Sequence, residues 1–289
     1  MKKITKDIFK KIYKKRSIKE ETHKYDYGLL LVIGGGQFYS GAPALSAISA
    51  LRSGADMVHV IAPKRAADII ASFQPNLAAY PLKGDILTKE HLSNLINFAK
   101  NAEIVSSEKT AIVIGGGMGR SKQTQEVILE FLSKINVPVV IDADAIHAIA
   151  KNPKVISEKN FLITPHINEF FILTGKKVKD LNTKERIKKV KAAASELRTT
   201  ILLKGKIDII SNGKEVVLNE AGSPYMSVGG TGDTLAGICG SFMARGINPF
   251  LSAQAGAYIN GKAGEIAGNI KKEGLLATDV IEIIPEILN

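Results

Sequence analysis

Leu29-Leu30-Leu31-Val32-Ile33, followed at once by Gly34-Gly35-Gly36, is the stretch that decides the architecture. Five aliphatic residues in a row leave no polar face. Such a strand is buried on both sides, as in a parallel sheet covered by helices. The same grammar recurs along the chain. MVHVIA (57–62) follows a helix-like stretch at 42–54, and AIVI (111–114) runs into Gly115-Gly116-Gly117-Met118-Gly119. PVVI (138–141) leads into Asp142 and Asp144, FLIT (161–164) into Pro165-His166, and TILLK (200–204) into Gly205. Helix periodicity at 88–100, 121–135, 144–151 and 183–197 supplies the crossovers. IDIIS (207–211) and KEVVLN (214–219), around Asn212-Gly213, predict an antiparallel hairpin. Helical stretches follow at 232–245, 250–268 and 276–288. The expected fold is α/β in three layers: a mostly parallel central sheet, helices on both faces, and the hairpin near one edge. Ligands of such sheets bind at the carboxyl ends of the strands. Every glycine or aspartate cluster named here falls at such an end.

Composition narrows the class. The single cysteine, Cys239, rules out a disulfide framework within one chain and a cysteine-based zinc site in a monomer. No apolar run is long enough for a transmembrane helix, and the start, MKKITKDIFKK, lacks the apolar core of a signal peptide. A cytoplasmic protein with no membrane partner is expected. The net charge is +11, and residues 1–24 hold ten Lys and Arg against three acids, so this segment carries seven of those charges. It reads as a basic, amphipathic helical arm whose Ile8, Phe9, Ile12 and Tyr13 pack on the body. No aromatic–basic interleaving or nucleic-acid motif accompanies the charge, so no nucleic-acid partner is expected. Residues 25–289 read as one domain, since no linker interrupts them.

Familiar nucleotide motifs fail. Tyr39 and Arg120 stand where a third dinucleotide-fingerprint glycine belongs, and no Gly-Lys pair is followed by Ser or Thr. The protein-kinase signatures are absent. The most specific stretch is Ser227-Val228-Gly229-Gly230-Thr231-Gly232-Asp233-Thr234-Leu235-Ala236-Gly237. Its glycines permit a tight turn into a helix whose free N–H groups and positive dipole end converge on one spot, a hole for a phosphoryl group. Asp233, in the first helical turn, can act as a cap or as a base that takes the proton of an attacking hydroxyl. Together these parts predict metal-assisted phosphoryl transfer from a nucleotide to a hydroxyl.

GGTGDTLAG opening a helix resembles the ribokinase-like superfamily. The further landmarks are GGGQFYSGAPALSAISALRSGADMVHV (34–60), IGGGMGR (114–120), VVIDADAI (139–146), LITPHINEF (162–170) and LLKGKIDII (202–210). In order and spacing they resemble the ADP/ATP-dependent NAD(P)H-hydrate dehydratase family over about residues 25–285. The resemblance implies a ribokinase-like fold and a repair reaction. A phosphoryl group passes from ADP or ATP to the ring hydroxyl of the S-form hydrate of NADH or NADPH, and phosphate then leaves to restore the ring. It implies Asp233 as base, in contact with that hydroxyl. Gly230, Thr231 and Gly232 would hold the nucleotide phosphate. Lys204, Gly205, Lys206, Ile207 and Asp208 would line the nucleotide. Ala42, Gly119 and His166 would touch the dinucleotide. Mg2+ is the implied cofactor, with Glu169 as the carboxylate that orders its waters. A homo-oligomer such as a tetramer is the implied assembly.

Asp142 and Asp144 are expected as structural caps, His147 as uninvolved, and His23 and His91 as surface residues. The sequence departs from the family where Ile167 and Asn168 replace a Pro-Gly turn, where Gly116 stands for a common Pro, and where Asp208 stands for a common Thr. Fewer than thirty residues precede the first expected strand, so the epimerase activity often fused to this family is not expected here. The rival readings are a small-molecule alcohol kinase of the hydroxyethylthiazole or hydroxymethylpyrimidine type, and a non-enzymatic nucleotide sensor or nucleic-acid binder using the basic arm.

Overall fold

The structure is a computed structural model that describes residues 2–13 and 21–289. Its ten strands are β1 (Lys2–Lys3), β2 (Leu29–Ile33), β3 (Met57–Pro63), β4 (Ala78–Leu82), β5 (Thr110–Ile114), β6 (Val139–Ile141), β7 (Phe161–Ile163), β8 (Thr200–Leu203), β9 (Asp208–Ser211) and β10 (Val216–Asn219). They form one sheet in the order β1-β10-β9-β8-β7-β6-β5-β2-β3-β4. From β8 to β4 every pairing is parallel, while β9 runs antiparallel to both β8 and β10.

The helices are α1 (Ile8–Ile12), α2 (Gly41–Arg52), α3 (Lys64–Phe73), α4 (Leu92–Val105), α5 (Lys122–Lys134), α6 (Asp144–Ile149), α7 (Ile167–Thr174), α8 (Thr183–Leu197), α9 (Thr231–Ala244), α10 (Pro249–Lys271) and α11 (Ala277–Leu288). Side chains alternate across each strand, so the two faces separate cleanly. Leu29, Leu31 and Ile33 pack with α4, α5 and α6, whereas Leu30 and Val32 pack with α2, α3, α9 and α10. The α8 helix covers β8 and β9 on the first face, and α11 and α1 seal the outside of α9 and α10. From β8 to β2 both faces of the sheet are dry, which is why those strands read as unbroken apolar runs.

Four differences from the sequence reading have physical causes. Strand β4 and helix α3 carry no apolar run, because β4 is a half-exposed edge strand containing Pro81. The second hairpin strand starts at Val216 instead of residue 214, because Asn212 Oδ1 accepts the N–H groups of Lys214 and Glu215 and so extends the turn. His91 is buried, with Nδ1 accepting from the Thr88 N–H and Nε2 facing the Lys83 carbonyl. A ring whose two nitrogens are both satisfied by backbone can leave the surface. The basic arm begins as a strand, with Lys2 and Lys3 paired to β10, before α1 buries Ile8, Phe9 and Ile12. Its residues 14–20 lie outside the described residues.

Candidate functional site

Ile33, Ile114, Ile141 and Ile163 stand in register in one row across β2, β5, β6 and β7. The next residues, Gly34, Gly115, Asp142 and Thr164, therefore form a row at the carboxyl edge, and Lys204 joins it just beyond β8. A Cβ at Gly115 would lie 1.8 Å from the Asp142 carbonyl oxygen, so the row closes only with glycine there. Opposite this row, Gly230 turns the chain into α9 at φ +97, and a Cβ there would meet Leu45 at 2.6 Å.

The α9 turn is braced from behind. Thr231 Oγ1 donates to the carbonyls of Met226 and Val228, Thr234 Oγ1 donates to Asn260 Oδ1, and Asn260 Nδ2 donates to the Thr231 carbonyl. These bonds leave the opening N–H groups of α9 to face the crevice. Lys204 Nζ lies 3.4 Å from where a Gly232 Cβ would stand, so an ammonium and a positive helix end meet at one point.

Lys204 is held by acids. Its Nζ donates to Asp142 Oδ1 at 2.8 Å and lies 4.0 Å from Glu169 Oε2. Thr164 Oγ1 donates to the same Asp142 oxygen at 2.7 Å. Burial opposes the lysine charge, but Asp142 and Glu169 outweigh it and hold its pKa above the ordinary value. Burial pushes Glu169 up, partly offset by Lys204. Asp142, expected as a cap, is instead the counter-ion of Lys204. Asp144 does tie a loop, accepting from the Gly119 N–H at 2.9 Å and from Arg120 Nε at 2.8 Å.

Asp233 is the acid of the crevice. Burial, and then the charge of Asp142, push its pKa up to about 7, against a pull from Lys204. Its Oδ1 lies 2.8 Å from the Cβ position of Gly116, which is itself 3.1 Å from Ala42 Cβ. Asp233, Lys204, Gly232, Gly116 and Ala42 thus converge. Ser46 Oγ fixes the backbone of Asp233 by donating to its carbonyl at 2.9 Å.

The remaining expected residues divide. His166 caps α7: its Nδ1 accepts from the N–H groups of Asn168 and Glu169, and Glu169 Oε2 accepts from the His166 N–H. Its ring is 52% exposed at the crevice, with Nε2 3.3 Å from Glu169 Oε1. Gly205 and Lys206 are exposed on the β8–β9 loop, and Ile207 is half-buried against the α8 cluster. Asp208 turns inward, accepting from the Gly205 N–H at 3.0 Å and Asn219 Nδ2 at 2.9 Å, and burial raises its pKa to about 6. Asp142, Thr164, Ser46 and Asn260 are parts of the site that the residue pattern did not assign. For Asp142 and Thr164 a signal existed: each is the first residue past a buried strand.

Fold and crevice together define a ribokinase-like α/β protein in which the start of a helix and a lysine face a half-buried acid. The chain belongs to the NAD(P)H-hydrate dehydratase family, whose profile matches residues 30–286. It is 39% identical over 96% of its length to the bifunctional NAD(P)H-hydrate repair enzyme Nnr of Hyperthermus butylicus, of which it covers 51%. It is 38% identical to the ADP-dependent (S)-NAD(P)H-hydrate dehydratase of Nitrosopumilus maritimus, covering 94% of this chain and 91% of that one. The chain thus spans about half the length of the bifunctional relatives it matches. An ADP/ATP-dependent NAD(P)H-hydrate dehydratase of Bacillus subtilis, crystallised with ATP and Mg2+, superposes with a TM-score of 0.78 over 98% of this chain and 96% of its own. At 23% identity that likeness concerns the fold. Among the described residues no helix is long and apolar enough to cross a membrane, and no group of three His, Cys, Asp or Glu could hold a metal ion.

Proposed function

We propose that this chain repairs hydrated NADH and NADPH at the expense of ADP or ATP, with residues 25–289 acting as one domain. The observation that carries the reading is the convergence of Asp233 with Lys204 and Gly232 at the start of α9, where burial lifts the Asp233 pKa to about 7. A base works best when its pKa lies near the working pH. Asp233 takes the proton of the hydrate's ring hydroxyl as that oxygen attacks the terminal phosphorus of the nucleotide. The O–P bond forms and the bond to the departing nucleotide breaks. The N–H groups at Gly230, Thr231 and Gly232, with the Lys204 ammonium, take up the charge of the migrating group. The phosphorylated hydrate then loses phosphate from the ring carbon together with a ring proton, and NAD(P)H is restored. Hydroxide is a poor leaving group and phosphate a good one, which is why a dehydration needs a nucleotide.

Lys204 through Asp208 line the nucleotide, with Asp208 holding the loop's shape. Ala42, Gly119 and His166 face the dinucleotide. Mg2+ would be carried by the nucleotide's phosphates, with Glu169, 4.0 Å from Lys204 Nζ, as the acid that would order its waters. Magnesium commonly keeps several waters and uses few protein ligands. When bound it neutralises phosphate charge. We place the activity in the cytoplasm with its soluble coenzymes, and the assembly as a homo-oligomer.

The test is a coupled assay with NADH hydrate, ADP or ATP, and Mg2+, following return of the nicotinamide absorbance. Folded protein that restores none with either nucleotide overturns the reading. Accumulation of a stable phosphorylated alcohol would return the case to a kinase, which family membership disfavours.

A further inference from the structure

We infer that the dinucleotide's far half lies in a groove at the end of β3 and β4, with Arg65 on one of its phosphates; this rests on the repair reading above. The sheet order separates the two ligands. Lys204 and its loop follow β8, on one side of Asp233, whereas the loops carrying Ala42 and Gly119 follow β2 and β5 on the other. With His166, after β7, beside the damaged ring at Asp233 and the nucleotide on the β8 side, the rest of the dinucleotide extends past Ala42 and Gly119 and across β2 toward β3 and β4.

An open groove of about 510 Å3 stands there, lined by Lys64, Arg65, Asp68, Ile69, Gly84 and Asp85. The loop after β2 lies between this groove and the crevice. Gly35 and Gly36 in that loop sit against Ala66 and the Asp85 backbone on one side and against Gly116 and Gly117 on the other. The same loop presents Phe38 and Tyr39, 81% and 65% exposed, with no aromatic or cationic partner among the described residues. Exposed rings on the loop beside a groove suit stacking on a nucleobase.

The charges in the groove are unequal in availability. Lys64 is neutralised by Asp68 at 2.6 Å. Arg65 forms no ion pair among the described residues, which leaves its guanidinium fork free for a phosphate. The Asp85 carboxylate is placed to accept ribose hydroxyls, as an acid does in other dinucleotide sites.

The experiment compares wild type, Arg65→Ala and Phe38→Ser in the full chain. It reads the KM for NADH hydrate, NADPH hydrate and ADP, and, independently of turnover, the affinity for unhydrated NADH and NADPH by calorimetry. Arg65→Ala should raise the dinucleotide KM and Kd about tenfold, the effect of losing a hydrogen bond to a charged group. The ADP KM should stay in place, and the change should sit in KM and not in kcat. Equal effects on both coenzymes assign Arg65 to the shared pyrophosphate, and an effect on NADPH alone assigns it to the 2′-phosphate. Unchanged KM and Kd for both coenzymes in both variants overturns the inference. So does a changed mass in light scattering with unchanged affinity, which would make this face a contact between subunits. Because the calorimetry needs no turnover, a protein that binds NADPH through Arg65 yet repairs no hydrate would sink the repair reading and leave the groove standing.

Discussion

Asp233→Asn tests the site through both folding and turnover. Burial lifts this carboxyl from 3.8 to about 7. That is about three pH units, and at about 1.4 kcal/mol per unit the ionised carboxylate costs the folded protein about 4 kcal/mol. The sign follows from proton counts. Between pH 3.8 and about 7 the folded protein keeps a proton that the unfolded chain has released, so through this group stability falls as pH rises. Above pH 7 the full penalty is present, and below 3.8 it is gone. Asparagine is nearly isosteric and never ionises. At pH 8 the variant should therefore be more stable than wild type by about 2–4 kcal/mol, less whatever its amide loses in unmade hydrogen bonds. Well below pH 5 the two should converge. Guanidinium unfolding of both proteins at several pH values reads this difference. Asp208 and Glu169 also titrate upward, but they are common to both proteins and cancel. Turnover should fall by about 10²–10⁴-fold in the same variant. A variant no more stable than wild type at pH 8, or one that turns over normally, refutes the desolvated base.

Wild-type kcat/KM should rise as pH passes upward through about 7, because the protonated Asp233 cannot accept a proton; a flat profile from pH 5 to 8 would contradict this. Lys204→Met strands Asp142 and Glu169, 3% and 4% exposed, without their cation. It should cost about 3–5 kcal/mol in denaturant unfolding, with part restored by adding Asp142→Asn. Gly116→Ala places a methyl 2.8 Å from Asp233 Oδ1, the movable end of a side chain. The protein should keep its melting temperature within a few degrees while kcat drops about 10²-fold from the displaced base. His166→Ala removes the cap of α7 and should cost about 1 kcal/mol. His166→Asn should restore that stability without restoring affinity for the dinucleotide.

What the sequence determined alone is everything written in local periodicity. Strands β2, β3 and β5–β8 are apolar because both faces of the sheet are covered, and burial on both faces needs no knowledge of the neighbour. The glycine turn into α9 is equally local, since a left-handed Gly230 and an acid in the next helical turn lie within four residues. The edge strand β4 escaped because solvent relaxes the demand for apolar residues, and His91 escaped because its two backbone partners made burial tolerable. Only the tertiary structure decided the charges. Lys204 and Asp142 are 62 residues apart, and Ser46 reaches Asp233 across 187. Parallel pairing brings the ends of β5–β8 into one row, and that row sets which aspartate answers a lysine and which is left half-neutralised in the dark of the crevice. A pKa depends on distance and desolvation, and neither quantity exists along a linear chain.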